Sequence, residues 1–575
     1  MSAPKFLLVS LPWATYQGPS LPIGTLAAYA QNKGFDVEAK HLHLKAAALF
    51  GLEIYDHYSY HTFVGDAISA AILFPEKEKE LVEYCECCVK GAKSHLIDLK
   101  HALKRIYEEV DWAKYDVVGF TTSYRQIFTS LIIAKWIKRD YPEVRIILGG
   151  RLVSGAQGHS IIKLFPQIDY CVDGEGEIAL VSLLDEMRHA NADFEAKVPG
   201  LIYRKEEEIY ANPRQHLESL EDMPDPDYRH YYKTIDKHPS LKNSALPLYL
   251  PIEASRGCNY RCAFCSHNIF YGNNRNRPPK EVASSIQRLT DLYRISSIIF
   301  MDLTVQPEHS EKLFAHIAAQ KRDYKIFCEM RANISKEVLL MMKQAGLSAV
   351  QVGIEALDTR LLKKINKGTR LIDNLQIMKF CEELGIGLDY NLILGFPTET
   401  QTDIERSIQA IEYASSFPPP LTLINFTLID GSPVFCSPQK YGIYKNDDCS
   451  ELSSRLPRHI TAEMKLLYKT YKSKYKPRDY SRLNRRVERW RKLYKEARKE
   501  GCPLFYYVDF NSFLNIEDYR TGVDSITLDS WARELYLFCD SIKSFDEIKR
   551  RFPDVSDKEL KRTLNKLFKL KVMFK

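Results

Sequence analysis

Short apolar runs that end in glycine, proline or hydroxyl residues punctuate the first third of the chain. They lie at 5–12 (KFLLVSLP), 116–122 (DVVGFTT), 145–150 (RIILGG) and 169–173 (DYCVD). Segments of helical period separate them, as at 24–33 and 128–140. Such alternation predicts an open, largely parallel α/β sheet over 1–195. Residues 46–111 interrupt it as a long, mainly helical insert. Residues 196–246 are mixed and polar, and their MPDPDY signals a linker.

A second alternation starts at 247. Strands are predicted at 248–254, 296–302, 324–330, 349–355, 388–395 and 421–429. Helices fall between them at 280–294, 309–321, 336–345, 358–365, 372–384 and 401–416. Six such units predict a partial (β/α)6 barrel over 247–440, with ligands at the C-terminal ends of its strands. Residues 441–575 form a mainly helical third region: a basic helical stretch (458–499), an aromatic strand (503–510) and a tail (525–575). In the tail, Ser544 with Glu547 and Ser556 with Glu559 have capping-box spacing. Short helices before a terminal KVMF strand predict a winged-helix-like tail.

A chain of 575 residues exceeds one hydrophobic core. No apolar run reaches the length of a membrane span, and the N-terminal FLLV run before Pro12 predicts a strand, not a signal peptide. Thirteen cysteines without a secretion signal point to a reducing cytoplasm and to metal or redox chemistry. The net charge of +7 is uneven. Residues 465–499 hold 15 Lys and Arg against three acidic residues, so this stretch carries +12 and the rest −5. Its interleaved Tyr468, Tyr471, Tyr475, Trp490 and Tyr494 admit RNA binding, an amphipathic helix with one solvated face, or a surface for an acidic peptide.

The densest chemical signal is SRGCNYRCAFCSHN, which sets Cys258, Cys262 and Cys265 in a C-x3-C-x2-C pattern just past the first barrel strand. Spacing alone leaves open a zinc site completed by His267. The pattern, with Phe264 before the third cysteine, resembles the radical S-adenosylmethionine (SAM) superfamily. That resemblance implies a [4Fe-4S] cluster whose open iron chelates SAM and cleaves it to a 5′-deoxyadenosyl radical. It also implies SAM contacts. IIFMDLTVQ (298–306) stands where the family has a Gly-Gly-Glu-like stretch; Asp302 lies in it, and the departure leaves only backbone contacts to carry over. CEMRANI resembles an E-x-R third strand and nominates Glu329 and Arg331. QVGIEALDTR resembles the fourth strand and nominates Glu355. NLILGFPTET resembles N-x-x-x-G-x-P-G-E-T, with Thr398 in place of a glycine, and nominates Asn391.

In the first domain, PSLPIGTLAAYAQNKGFDVE, DVVGFTTS, ILGG and DGEGE follow the order seen in cobalamin-binding domains of radical SAM enzymes. The resemblance implies a Rossmann-like cobalamin domain contacted by Thr121, Thr122, Ser123, Gly149, Gly150, Gly174 and Glu175. The D-x-H-x-x-G loop of the better-known cobalamin fold is replaced by LPWATYQGPSLPIG, and residues 1–40 hold no histidine. This implies cobalamin bound base-off, with Trp13, Tyr16 or Gln17 near the cobalt's lower face. A degenerate domain kept for packing is the alternative.

Residues 1–445 further resemble enzymes that mature ribosomally made peptides. The resemblance implies a cobalamin-dependent methyltransferase acting on an unactivated carbon of a peptide or natural product. One SAM methylates Co(I), and the radical from a second opens the substrate carbon to the methyl group. It also implies a leader peptide held by the tail as an added strand, and an external electron donor such as flavodoxin or ferredoxin. Two rivals stand: a cobalamin-binding radical SAM enzyme that cyclises or rearranges without methylating, and an RNA-binding modification protein. Cys85, Cys87 and Cys88 invite a second cluster, but adjacent and i+2 helical positions point apart, so they are expected to be structural or incidental thiols.

Overall fold

The computed structural model describes residues 4–61, 63–122, 125–189, 193–448, 451–520 and 524–575. Seven strands form its first sheet: β1 (Lys5–Ser10), β2 (Asp36–His41), β3 (Val117–Thr121), β4 (Arg145–Gly149), β5 (Tyr170–Val172), β6 (Leu201–Lys205) and β7 (Glu208–Ala211), in the order β2-β1-β3-β4-β5-β6-β7. The first five are parallel and the last two antiparallel. The order reverses between β1 and β3, so a crevice opens at the carboxyl ends of these two strands. In β1, Phe6 to Ser10 are all buried, as a strand covered on both faces requires. β2 (DVEAKH) alternates exposed and covered positions as an edge strand, so no apolar run marks it.

The span 196–246 is not linker throughout. Leu201, Ile202 and Tyr203 are buried in β6 beside β5, while the charged turn after Lys205 hides the hairpin from a reading by polarity. Between β2 and β3 the insert is helical, from His43–Phe50 to Ala92–Glu109, and shares one core with the sheet.

The second sheet is parallel, in the order β14-β13-β12-β11-β8, built from β8 (Leu250–Ile252), β11 (Ser297–Phe300), β12 (Lys325–Met330), β13 (Leu347–Val352) and β14 (Gly387–Asp389). A small antiparallel pair, β9 (Ser255–Arg256) and β10 (Arg275–Asn276), follows β8. A parallel pair, β15 (Asn391–Leu394) and β16 (Thr422–Asn425), continues the arc, because the Ile393 N–H donates to the Glu355 carbonyl just past β13 at 2.9 Å. Six helices fill the crossovers within a few residues of the predicted spans. Ser335, Asp358 and Thr400 cap three of them through their side chains.

Beyond the arc, β17 (Leu428–Ile429), β18 (Ile443–Asp447) and β19 (Tyr468–Ser473) form a sheet in the order β17-β19-β18. The stretch 458–499 is therefore not one helix. It runs through a short helix (Arg458–Glu463), then β19, and becomes helical again at Ser481–Glu500, beyond Pro477, which has no N–H to continue a helix. The tail also departs from expectation. The aromatic strand expected at 503–510 is present as β20 (Phe505–Asp509), but with β21 (Phe513–Asp518) and β22 (Asp524–Asp529) it forms a sheet ahead of the helices, and KVMF is not a strand. Val572 instead packs under the sheet with Leu514 and Ile516. Ser544 and Glu547 form the full capping box, whereas at Ser556 only the serine side chain caps. Among the described residues no helix is long and apolar enough to cross a membrane.

Candidate active site

Cys258, Cys262 and Cys265 lie on the loop after β9, at the C-terminal end of the second sheet. Gly257 (φ +87°) lets the chain double back: a Cβ there would sit 2.2 Å from the Asn273 carbonyl oxygen. The loop is tethered from three sides. The Cys258 N–H donates to the Gly272 carbonyl (3.1 Å), the Ala263 N–H to Ile365 (2.8 Å), and the Val434 N–H to Ala263 (3.0 Å). Cys262 is buried and the other two are half-buried. Burial pushes the Cys265 thiol up to about 11 and raises Cys258 as well, against the lowering charges of Arg331 and Lys367. Thiols of this kind are stable as thiolates once a metal cation supplies the compensating charge.

Among the described residues no three His, Cys, Asp or Glu side chains converge tightly enough for a single ion. A cubane offers each thiolate its own iron and so takes a wider spacing. His267, the zinc alternative's fourth ligand, is half-buried with its Nδ1 covered and unpartnered, and burial and then Arg151 lower its basicity.

Arg331 follows β12, stacks on the Tyr260 ring at 3.7 Å and points one nitrogen at the Cys262 sulfur (3.6 Å). Its other terminal nitrogen is buried without a partner. So are polar atoms of Thr304 and Gln306, past β11, and of Thr369, past β13. Orphaned buried donors at the mouth of one sheet fit a polar ligand such as SAM. Glu355 holds a left-handed backbone (φ +60°) and pairs with Lys367 at 2.8 Å, in space that Gly353 leaves open. Burial, then the charge of Glu355, raises Glu329, and Lys367 partly offsets them.

Asp302 serves differently from the expectation. Its oxygens accept from the Ala254 N–H (3.1 Å) and the Ser255 hydroxyl (2.5 Å), and burial pushes it up to about 7, so it builds the end of β8. Asn391 accepts from Thr422 (2.6 Å), and Phe264 packs with Ala263, Phe396 and Val434.

At the first sheet, Gly149 faces open space, whereas Gly150 (φ +117°) lies 3.2 Å, by its absent Cβ, from the Thr122 carbonyl. Thr122 donates both its N–H (2.7 Å) and its hydroxyl (2.9 Å) to the Gly149 carbonyl, and Thr121 is half-buried beside it. Gly174 has φ +106°. Ser123 lies outside the described residues.

Four expected cobalamin contacts, Trp13, Tyr16, Gln17 and Glu175, have partners within the protein. Trp13 is enclosed by Phe50, Tyr55 and Tyr58, and its indole N–H donates to Gly65 (2.9 Å), so it belongs to the insert's core. Tyr16 is buried too, and Gln17 accepts from Thr15 and Tyr60. Glu175 is a buried ionic hub. Arg275 pairs with it at 2.5 Å and Arg256 at 3.4 Å, and it accepts the Leu217 N–H; burial opposes its charge, but the arginines hold its carboxyl low. It joins the first sheet to β9 and β10.

Sequence reasoning missed Lys367, Arg256, Arg275 and above all Arg151. Arg151 directly follows Gly150 and donates to the Ser266 hydroxyl beside Cys265 (3.1 Å) and to the Asp430 carbonyl (3.1 Å). The carboxyl end of β4 thus meets the cysteine loop. Adjacency to the glycine pair was the one signal available. Cys85 is buried and bonded to Val64, while Cys87 and Cys88 are exposed. The helix Ser481–Glu500 lies on the arc's outer helices through Arg482–Glu405 (2.6 Å), Arg498–Glu382 (2.8 Å) and a Trp490 bond to Phe417 (2.9 Å).

Residues 252–411 match the radical SAM superfamily. The chain is 27% identical over 300 residues to an uncharacterized methyltransferase of Pyrococcus horikoshii, covering 51% of this chain and 63% of that one. It is 27% identical over 322 residues to the anaerobic magnesium-protoporphyrin IX monomethyl ester cyclase of Rubrivivax gelatinosus, covering 53% and 55%. The chain thus spans between half and two thirds of these curated relatives. The fold is similar to that of TsrM from Kitasatospora setae, a radical S-adenosylmethionine methyltransferase solved with cobalamin and a [4Fe-4S] cluster. The TM-score is 0.56 at 16% identity, over 81% of this chain and 88% of that one.

Proposed function

We infer that this chain, which carries a radical SAM domain over 252–411, is a cobalamin-dependent radical SAM enzyme, and we propose that it methylates an unactivated carbon of a peptide or natural product. The observation that carries this reading is the meeting of two mouths: the glycine end of β4 abuts the cysteine loop through Arg151. Two cofactors that act on one carbon need that juxtaposition. When bound, the cluster and SAM would supply the radical, and cobalamin the methyl group.

The residues have distinct shares in this. Cys258, Cys262 and Cys265 would hold the cluster through their three thiolates. Arg331, with its one unpartnered terminal nitrogen, offers a charged donor for the SAM carboxylate, and Lys367 fixes Glu355 beside it. Gly149 leaves room for the broad face of cobalamin. The arc serves as an open barrel whose mouth the first domain covers, excluding water from the radical. The tail holds a leader peptide, flavodoxin or ferredoxin supplies electrons, and the enzyme works in the cytoplasm.

Similarity to the cyclase supports a second reading, in which the same cofactors close a ring without methylation. Anaerobic reconstitution followed by metal analysis and product mass tests both. Iron and cobalt with a product heavier by a methyl group support the first; a product lighter by two hydrogens supports the second. Iron without cobalt removes both.

A further inference from the structure

The loop after β15, Gly395–Glu399, lies at the carboxyl end of the arc, and most of its fastenings come from outside the matched domain. The Gly395 N–H donates to the Tyr480 hydroxyl oxygen (2.7 Å) and to Glu399 (2.9 Å). The Tyr480 hydroxyl donates to the same Glu399 oxygen. Arg478 donates to the Pro397 carbonyl (2.8 Å), and the Tyr471 hydroxyl points at the Gly395 carbonyl (3.4 Å). Phe396, fully buried, packs edge-on against Phe426 and Tyr441, and Phe426 against Tyr471. The same apolar cluster includes Ala263 and Phe264 of the cysteine loop.

We propose that Tyr480, with Arg478, is a positioning residue for SAM, holding the Gly395–Glu399 loop in the shape that completes the pocket. The proposal rests on the SAM reading above. It gives part of the basic 465–499 stretch a task inside the enzyme. Glycine at 395 is in the left-handed region (φ +77°), and its N–H is shared between Tyr480 and Glu399. Removing the tyrosine hydroxyl leaves the buried Glu399 carboxylate one donor short, so the loop has a reason to move.

The test uses the full chain with its cluster reconstituted. Binding of S-adenosylhomocysteine, which is not cleaved, is measured by equilibrium dialysis for the wild type, Tyr480→Phe and Arg478→Ala, beside iron content and thermal midpoint. The expected result is a Kd raised about five- to tenfold in each variant, with iron content and midpoint unchanged. Glu399→Gln, which can still accept from Tyr480, should lie between. Equal affinity in the wild type and both variants overturns the proposal. A lowered midpoint in step with affinity also overturns it, since the residues would then be structural only. A cluster-loaded wild type that does not bind the probe overturns the SAM reading itself.

Discussion

Gly149 and Gly150 are neighbours with opposite requirements. Gly150 needs its missing Cβ for the fold, because its φ is +117° and the Thr122 carbonyl is 3.2 Å away. Gly149 faces open space, so its missing Cβ matters only to something that enters that space. Gly150→Ala is therefore expected to cost about 1–3 kcal/mol of stability, read by urea unfolding of the apoprotein. Gly149→Val should change stability by less than about 0.5 kcal/mol and yet lower the cobalt retained after reconstitution. Equal cobalt in Gly149→Val and wild type would count against a ligand at the β4 mouth. Glycines at strand ends were legible in the sequence, but their division of labour was not, since it depends on a carbonyl 28 residues away in the chain.

At the scale of elements, the turn after β4 delivers Arg151 to the cysteine loop. Its guanidinium is largely buried, bonds Ser266 and lies 5.1 Å from the centre of the Phe270 ring. A fixed cation there favours the reduced form of any cluster on Cys265. Arg151→Met should make the cluster's midpoint potential more negative with iron content unchanged, and Arg151→Lys should restore most of it. Redox titration followed by electron paramagnetic resonance reads both. An unshifted potential in Arg151→Met places the charge too far from the cluster to matter. The strands on either side of this turn were legible because buried parallel strands are unbroken apolar runs, and the crossover helices because their period is 3.6. The elements misread were those whose burial is one-sided or late. β2 and β6–β7 are polar in alternation or at their tip, and β21 buries only alternate positions, so no unbroken apolar run marks it. Glu175 was placed at the right strand end but in the wrong role, because Arg256 and Arg275 are distant in sequence and nothing local announces a salt bridge.

The whole molecule is held together across its two sheets by buried ionic and imidazole groups, and these make its stability depend on pH. Glu175→Gln should destabilise by about 3 kcal/mol, at the lower end for a broken buried network because Arg256 keeps Glu177 and Glu253. A second group lies where the β2 end meets the helix Arg229–Lys237. The Ser20 N–H donates to His41 Nε2 (2.9 Å), and the His41 N–H to His230 Nδ1 (3.1 Å), so both imidazoles must stay neutral to accept. Burial, then nearby lysines, depresses His230 to about 4, and burial depresses His43 to about 4 and His41 well below its usual range. The unfolded chain then binds more protons than the folded one between about pH 4 and 6.5. The histidines' contribution is thus fully present above about pH 6.5 and is lost as pH falls towards 4. Asp66 and Asp302, raised to about 7 by burial, act in the opposite direction over an overlapping range, losing stability as pH rises towards 7. The wild-type profile is therefore a poor test, and the difference between two profiles is a good one. His230→Gln, which keeps an acceptor for the His41 N–H but does not titrate, should flatten the fall in unfolding free energy between pH 7 and 5 by on the order of 2 kcal/mol. If His230→Gln and wild type keep parallel profiles from pH 7 to 5, His230 does not titrate between the folded and unfolded states, and the junction between the first sheet and the segment leading to the second is not what acid opens.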